Sequence, residues 1–73
     1  MRRVSNLGRT IRFVLDGDME LSRRLVSTPV RDPAAEVNAL SPVGRALLDA
    51  APGEERVAVS PAGHTVVKVL EVL

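Results

Sequence analysis

Phe13 is the only aromatic residue in this chain of 73 residues, and cysteine is absent. A chain this short buries roughly 60% of the surface that it exposes when unfolded, so one thin core must be built from aliphatic side chains. The lack of cysteine excludes disulfides and thiolate-bound metals. A single aromatic ring cannot build base-stacking platforms or aromatic-lined ligand pockets. We therefore expect a single domain over residues 1–73.

Alternation of apolar and polar residues predicts the strands. It occurs in five segments: 10–16, 19–26, 36–40, 54–60 and 65–73. The side chains that it turns toward the core include Ile11, Phe13, Leu15, Val37, Ala39, Val57 and Val59. Asp16-Gly17-Asp18 favours a turn with positive φ and predicts a hairpin between the first two strands. Residues 27–35 contain two prolines and no periodicity, which predicts an exposed connection.

Ser41 and Pro42 mark the start of the one helix that the sequence predicts. A serine side chain can accept a hydrogen bond from a free amide of the first turn, and proline at the first helical position sacrifices no hydrogen bond. An apolar stripe with helical spacing follows and consists of Val43, Ala46, Leu47 and Ala50. Pro52-Gly53 would end this helix after roughly ten residues. A helix this short must be held by packing against a sheet.

The predicted order of elements is β-β-β-α-β-β. We expect an α+β fold in which an antiparallel sheet curls around one short helix. The longest apolar runs are about four residues, far short of the roughly 20 that a membrane helix needs. Arg2 and Arg3 are not followed by the apolar stretch of a signal peptide. These features predict a cytoplasmic protein without a membrane segment.

The net charge of +1 provides no strong field, so direct nucleic-acid binding is the least favoured function. His64, the only histidine, lies in a predicted turn without a recognisable Ser or Asp motif partner, and we expect it to be solvent-exposed. Residues 16–20 resemble the start of a calcium loop, but the later ligands do not follow. We expect no cofactor and no metal site. The sequence favours a non-enzymatic protein and leaves an enzyme open.

Residues 41–48 (SPVGRALL), followed at the expected distance by residues 61–63 (PAG), carry a family resemblance. They resemble the strand-to-helix segment and last hairpin in the C-terminal domain of the Gre family of bacterial transcript-cleavage factors. That family includes GreA, GreB and their relative the regulator of nucleoside diphosphate kinase. The likeness extends over the whole chain and is most specific over residues 37–73. It implies a fold like that of FK506-binding proteins, which agrees with the order of elements predicted from periodicity.

The resemblance also implies a partner. In the Gre family this domain docks on RNA polymerase at the rim of the secondary channel, while a separate N-terminal coiled coil delivers acidic residues for metal-dependent RNA cleavage. This sequence has no such coiled coil, and its first predicted strand begins at Thr10. We therefore expect a freestanding docking module that modulates transcription elongation without cleavage activity. Isomerase activity is not expected, because the isomerase pockets of this fold are lined with aromatic residues.

The candidate partner-binding residues are Leu40, Ser41, Pro42, Val43 and Arg45. Ser41 and Pro42 would shape the loop and the helix start, and helix capping alone would also explain both. Val43 would offer apolar contact, and Arg45 would pair with an acidic group of the partner. Gre proteins often carry a polar or acidic residue where this chain has Leu40. We expect Leu40 to be a core residue that anchors the helix start; the alternative is an exposed apolar contact.

Two further functions stay open at this point. The domain could have been diverted to a specialised biosynthetic pathway as a small enzyme or a ligand-binding protein. Alternatively, its edge strands could pair two copies into a homodimer.

Overall fold

The computed structural model describes residues 5–73, which form one sheet with a short helix packed against one face. The elements are β1 (Thr10–Leu15), β2 (Met19–Val26), β3 (Glu36–Asn38), α1 (Pro42–Leu47), β4 (Glu55–Ser60) and β5 (Gly63–Val72). Within this part of the chain the sheet has five strands in the order β3-β2-β1-β5-β4. The predicted α+β class and the order β-β-β-α-β-β are confirmed.

The centre of the core is formed by β1, which lies between β2 and β5. Ile11 and Phe13 of β1 are fully buried, as the alternation predicts, and Val69 of β5 lies opposite Phe13. Leu47 of α1 is also fully buried, and it packs from the helix into the same core cluster. Each fully buried side chain of this size contributes roughly 1.5–3 kcal/mol, so a few residues supply most of the hydrophobic stabilisation.

The turn between β1 and β2 also fastens the sheet to β5. Asp16 and Gly17 have φ values of 51° and 80°, the positive angles that the Asp-Gly pair predicts. The Asp16 backbone N–H donates to the Val66 carbonyl at 2.8 Å, and the Val66 N–H donates to Asp16 Oδ1 at 3.0 Å. The predicted hairpin is confirmed, and its first turn residue links it to the last strand.

The sheet is antiparallel, as predicted, except at one edge. β2 and β3 pair in parallel, with Leu25 opposite Val37, because the connection of residues 27–35 carries the chain back along the sheet before β3 begins. β3 is also shorter than the predicted segment 36–40. It ends at Asn38, whose side chain and carbonyl group both accept hydrogen bonds from the turn that follows.

The helix is shorter than the predicted ten residues and ends at Leu47. Its apolar stripe is as expected, since Ala46, Leu47 and Ala50 are buried and Val43 packs against the core. The buried side chain of Asn6 donates to the carbonyls of Leu47 and Ala50, at 2.7 and 2.8 Å, and so satisfies carbonyl groups that lack an α-helical donor at this end.

The predicted inward orientation of Val57 and Val59 is wrong. Their side chains are 57% and 62% exposed, whereas Ala58 between them is 4% exposed. The inner face of β4 lies against α1, and the small alanine side chain lets the helix approach the strand closely. The strand period is therefore correct and its phase is reversed.

The end of the helical region is joined to β4 by Arg56. Its guanidinium donates to Asp49 Oδ1 at 3.0 Å and to Glu54 Oε2 at 3.1 Å. The backbone N–H of Ala51, helped by Arg56, holds the pKa of Glu54 below its ordinary value, because both interactions favour the carboxylate. These groups are solvent-exposed, so they orient the connection more than they stabilise the fold.

Candidate functional site

Residues 40–45, which we call the Ser-Pro segment, connect β3 to α1 and contain all five predicted contact residues. Ser41 is the N-cap: its φ and ψ angles are −70° and 160°, and its Oγ accepts a hydrogen bond from the Gly44 N–H at 3.1 Å. Pro42 is the first helical residue. The predicted helix capping is confirmed.

Asn38, the last residue of β3, fixes the start of the Ser-Pro segment through hydrogen bonds. Its backbone carbonyl accepts from the Ser41 N–H at 3.0 Å and from Ser41 Oγ at 2.7 Å. Its side-chain Oδ1 accepts from the Leu40 N–H at 2.8 Å, and its Nδ2 donates to the Thr28 carbonyl at 2.9 Å. The backbone of the segment is thereby fixed on both sides. Asn38 was not among the predicted site residues, although an Asn two residues ahead of a turn amide is a recognisable signal.

Gly44 is required by the close approach of the helix to β3. A Cβ atom at this position would overlap the carbonyl oxygen of Asn38 and would lie 2.9 Å from the Cα of Ala39. Any residue with a side chain would therefore push the first helical turn away from the strand. The glycine sets the position of the whole Ser-Pro segment relative to the sheet.

The outer surface of the segment is formed by Leu40, Pro42 and Arg45. Leu40 is 73% exposed, and Pro42 and Arg45 are also exposed. Arg45 lies one helical turn after Pro42 on the same face, and it forms no ion pair with any of residues 5–73. Ser41 and Val43 are partly buried, so less of their side-chain surface is accessible to a partner.

The prediction that Leu40 is a core residue is wrong. The turn made by Asn38 directs Ala39 inward, where it is 7% exposed, and leaves Leu40 on the surface. The alternative, an exposed apolar side chain available for contact, describes the structure.

Other polar residues form no competing site in the described part of the chain. His64 is exposed on β5 beside Val59, as expected of a residue near a turn. Among residues 5–73, no group of three or more His, Asp or Glu side chains is placed to hold a metal ion. No helix of these residues is long and apolar enough to cross a membrane.

An open groove with a volume of about 600 Å³ lies on the outer face of the sheet, opposite the face that carries α1. It is lined by Val14, Asp16, Gly17, Glu55, Val66, Lys68 and Leu70. No residue of the Ser-Pro segment borders it. Its wall mixes apolar side chains with charges of both signs.

Comparison with known proteins identifies the family. The family model described as "Transcription elongation factor, GreA/GreB, C-term" matches residues 3–73. The chain belongs to this GreA/GreB family. The resemblance noted in the sequence is therefore confirmed, and the sheet curled around one helix is the FK506-binding-protein-like fold that it implies.

Solved structures agree with this GreA/GreB assignment. GreA factor homolog 1 (Gfh1) of Thermus thermophilus superimposes with a TM-score of 0.70 and 24% identity, over 97% of this chain and 49% of that one. GreA/GreB from Nitrosomonas europaea gives a TM-score of 0.67 and 30% identity, over 99% and 63%. The chain thus spans about half the length of Gfh1. A comparison with curated proteins found no match.

Proposed function

We propose that this GreA/GreB C-terminal domain docks on RNA polymerase near the secondary channel, and that the Ser-Pro segment makes the contact. The proposal rests on one observation: Leu40, Pro42 and Arg45 are exposed together on a segment whose backbone is already fixed by Asn38 and Ser41. Membership in a family of transcription elongation factors supports polymerase as the partner.

The segment is suited to recognition because its shape needs no rearrangement. Ordering a loop on binding reduces affinity, and the hydrogen bonds to Asn38 remove most of that cost. Leu40 offers an apolar side chain that would be desolvated at the centre of a contact, and Arg45 offers a cation for an acidic group at its rim.

In this proposal the domain acts as one unit over residues 1–73 and modulates elongation without cleaving the transcript. It would occupy the surface that full-length Gre factors use and compete with them for polymerase. The domain would then affect elongation only by binding polymerase, and none of its residues would act on RNA.

Replacing Leu40 with alanine is expected to weaken binding to core RNA polymerase about tenfold, because an exposed anchor loses most of its apolar contact. Replacing Pro42 with alanine should also weaken binding while leaving stability almost unchanged, since proline at the first helical position donates no hydrogen bond. Binding would be measured at physiological salt with a full-length Gre factor as competitor.

The matched control is Met19→Ala, which removes an exposed apolar side chain that is 55% accessible at the far end of β2. It should bind like the unmodified protein. Absence of competitive binding by the unmodified protein would refute polymerase docking. Equal affinities of the Leu40→Ala and Met19→Ala variants would refute the Ser-Pro segment as the contact.

A further inference from the structure

β4 forms one edge of the sheet and pairs only with β5 among the described strands. The Val69 N–H donates to the Glu54 carbonyl at 2.9 Å, which shows that even-numbered residues direct their backbone groups toward β5. The N–H and C=O groups of Glu55, Val57 and Val59 therefore point away from the sheet. They form no hydrogen bond with another element of residues 5–73.

This edge has little of the protection that exposed strands usually carry. β4 is six residues long, contains no proline or lysine, and places two exposed valines at alternate positions. The only arginine of the strand, Arg56, is held by Asp49 and Glu54. The opposite edge differs, because β3 has only three residues and the Asn38 side chain is bonded to the connection beside it.

We propose that β4 pairs antiparallel with β4 of a second copy of this chain. A two-fold axis at Ala58 places Val57 of each copy opposite Val59 of the other, on the outer face. A shift of two residues in one direction would place Val59 opposite Glu55, and a shift in the other would place Val57 opposite Pro61. Only the register centred on Ala58 pairs both valines of each copy with a valine.

The same register joins the valines into one apolar strip. Val66 lies opposite Val57 on β5 and is 41% exposed, so the strip would continue from each copy across the new strand pair. No like charges face each other across the axis. A six-residue strand is about 20 Å long, so the interface is small and the dimer should be reversible.

This association uses β4 and is independent of polymerase docking through the Ser-Pro segment.

Sedimentation equilibrium of the 73-residue protein tests the proposal. We expect the apparent mass to rise from 7.8 kDa toward twice that value as the concentration increases. The Val59→Pro variant should still fold, because proline is tolerated at edge positions whose N–H points outward. It should remain monomeric, because it lacks an N–H group that the strand pair needs. The control Met19→Ala changes an exposed apolar side chain on β2, away from the β4 edge, and should still dimerise.

A mass of 7.8 kDa at all concentrations up to about 1 mM would overturn the proposal, since an interface of this size should be populated there. Dimerisation of Val59→Pro to the same extent as the unmodified protein would also overturn it. If Val59→Pro does not fold, Val59→Lys places like charges along the paired edge and should give the same monomeric result.

Disulfide trapping tests the register, because the chain has no cysteine of its own. A mixture of the Val57→Cys and Val59→Cys variants should form a mixed disulfide several-fold faster than either variant forms a homodimer. Faster cross-linking of Val57→Cys alone would place Val57 opposite itself and overturn the register centred on Ala58.

Discussion

Replacing Gly44 with alanine is expected to lower the free energy of unfolding by about 3 kcal/mol or more, because the new methyl group has no space. The atoms in its way are the Asn38 carbonyl oxygen and the Ala39 Cα, which belong to the backbone and cannot rotate aside. The first turn of α1 would have to move off β3, which would stretch the bond from the Gly44 N–H to Ser41 Oγ. The gain in helix propensity, about 1 kcal/mol, does not offset this loss.

Urea unfolding followed by far-ultraviolet circular dichroism would measure the effect. A domain of this size has a total stability of roughly 4–11 kcal/mol, so Gly44→Ala should retain only roughly 1–8 kcal/mol and unfold at a clearly lower urea concentration. The control is Arg45→Ala at the next, exposed position, which should change stability by about 0.5 kcal/mol or less. A Gly44→Ala variant as stable as this control would mean that the helix does not need its close contact with β3.

The features that the sequence predicted correctly are those that neighbouring residues determine. Asp16-Gly17 specifies its turn because few residue pairs adopt two successive positive φ angles. Ser41-Pro42 specifies the helix start because the cap and the first helical residue are adjacent. The alternation around Phe13 specifies both the strand and its buried face.

The wrong predictions concern features that distant residues determine. The side of β4 that is buried depends on where α1 lies, and the larger side chains of Val57 and Val59 favoured the incorrect phase over Ala58. The parallel pairing of β3 depends on the path of residues 27–35, which have no periodicity to interpret. The helix is shorter than predicted, and carbonyl groups at its end are bound by Asn6, which lies more than 40 residues away in the sequence.

The location of the candidate site stays a prediction, and the structure shows which of its residues are exposed. The family resemblance pointed to residues 40–45, which are neighbours in the sequence and which the structure places at the start of α1. Leu40 was expected inside because a leucine beside a helix start usually packs against the core. Its exposure follows from the side-chain hydrogen bond of Asn38, which hydrophobicity patterns do not contain. Contact of any of these residues with a partner stays a prediction.

Replacing Asn6 with alanine should cost about 2–3 kcal/mol, because two carbonyl groups at the end of the helix lose their donor in a buried place. Asn6 is 3% exposed, and it is the only buried polar residue among those the structure describes. Its backbone N–H also donates to the Leu48 carbonyl at 2.7 Å, so the residue joins the start of the chain to the helix. The control is Ser5→Ala at the neighbouring exposed position, which should change stability by about 0.5 kcal/mol or less.

The Asn6→Asp variant separates lost hydrogen bonds from lost packing, because its side chain has nearly the same shape. At neutral pH the introduced carboxylate only accepts, so it would repel the carbonyls of Leu47 and Ala50 and destabilise the domain at least as much as alanine. Burial beside carbonyl oxygens raises the pKa of this carboxyl above its unfolded value. The folded state then binds more protons than the unfolded state, and the stability of Asn6→Asp relative to the unmodified protein should increase as the pH falls toward 4. A stability deficit that does not change with pH would show that the donor bonds of Asn6 contribute little and that its packing alone holds the helix end.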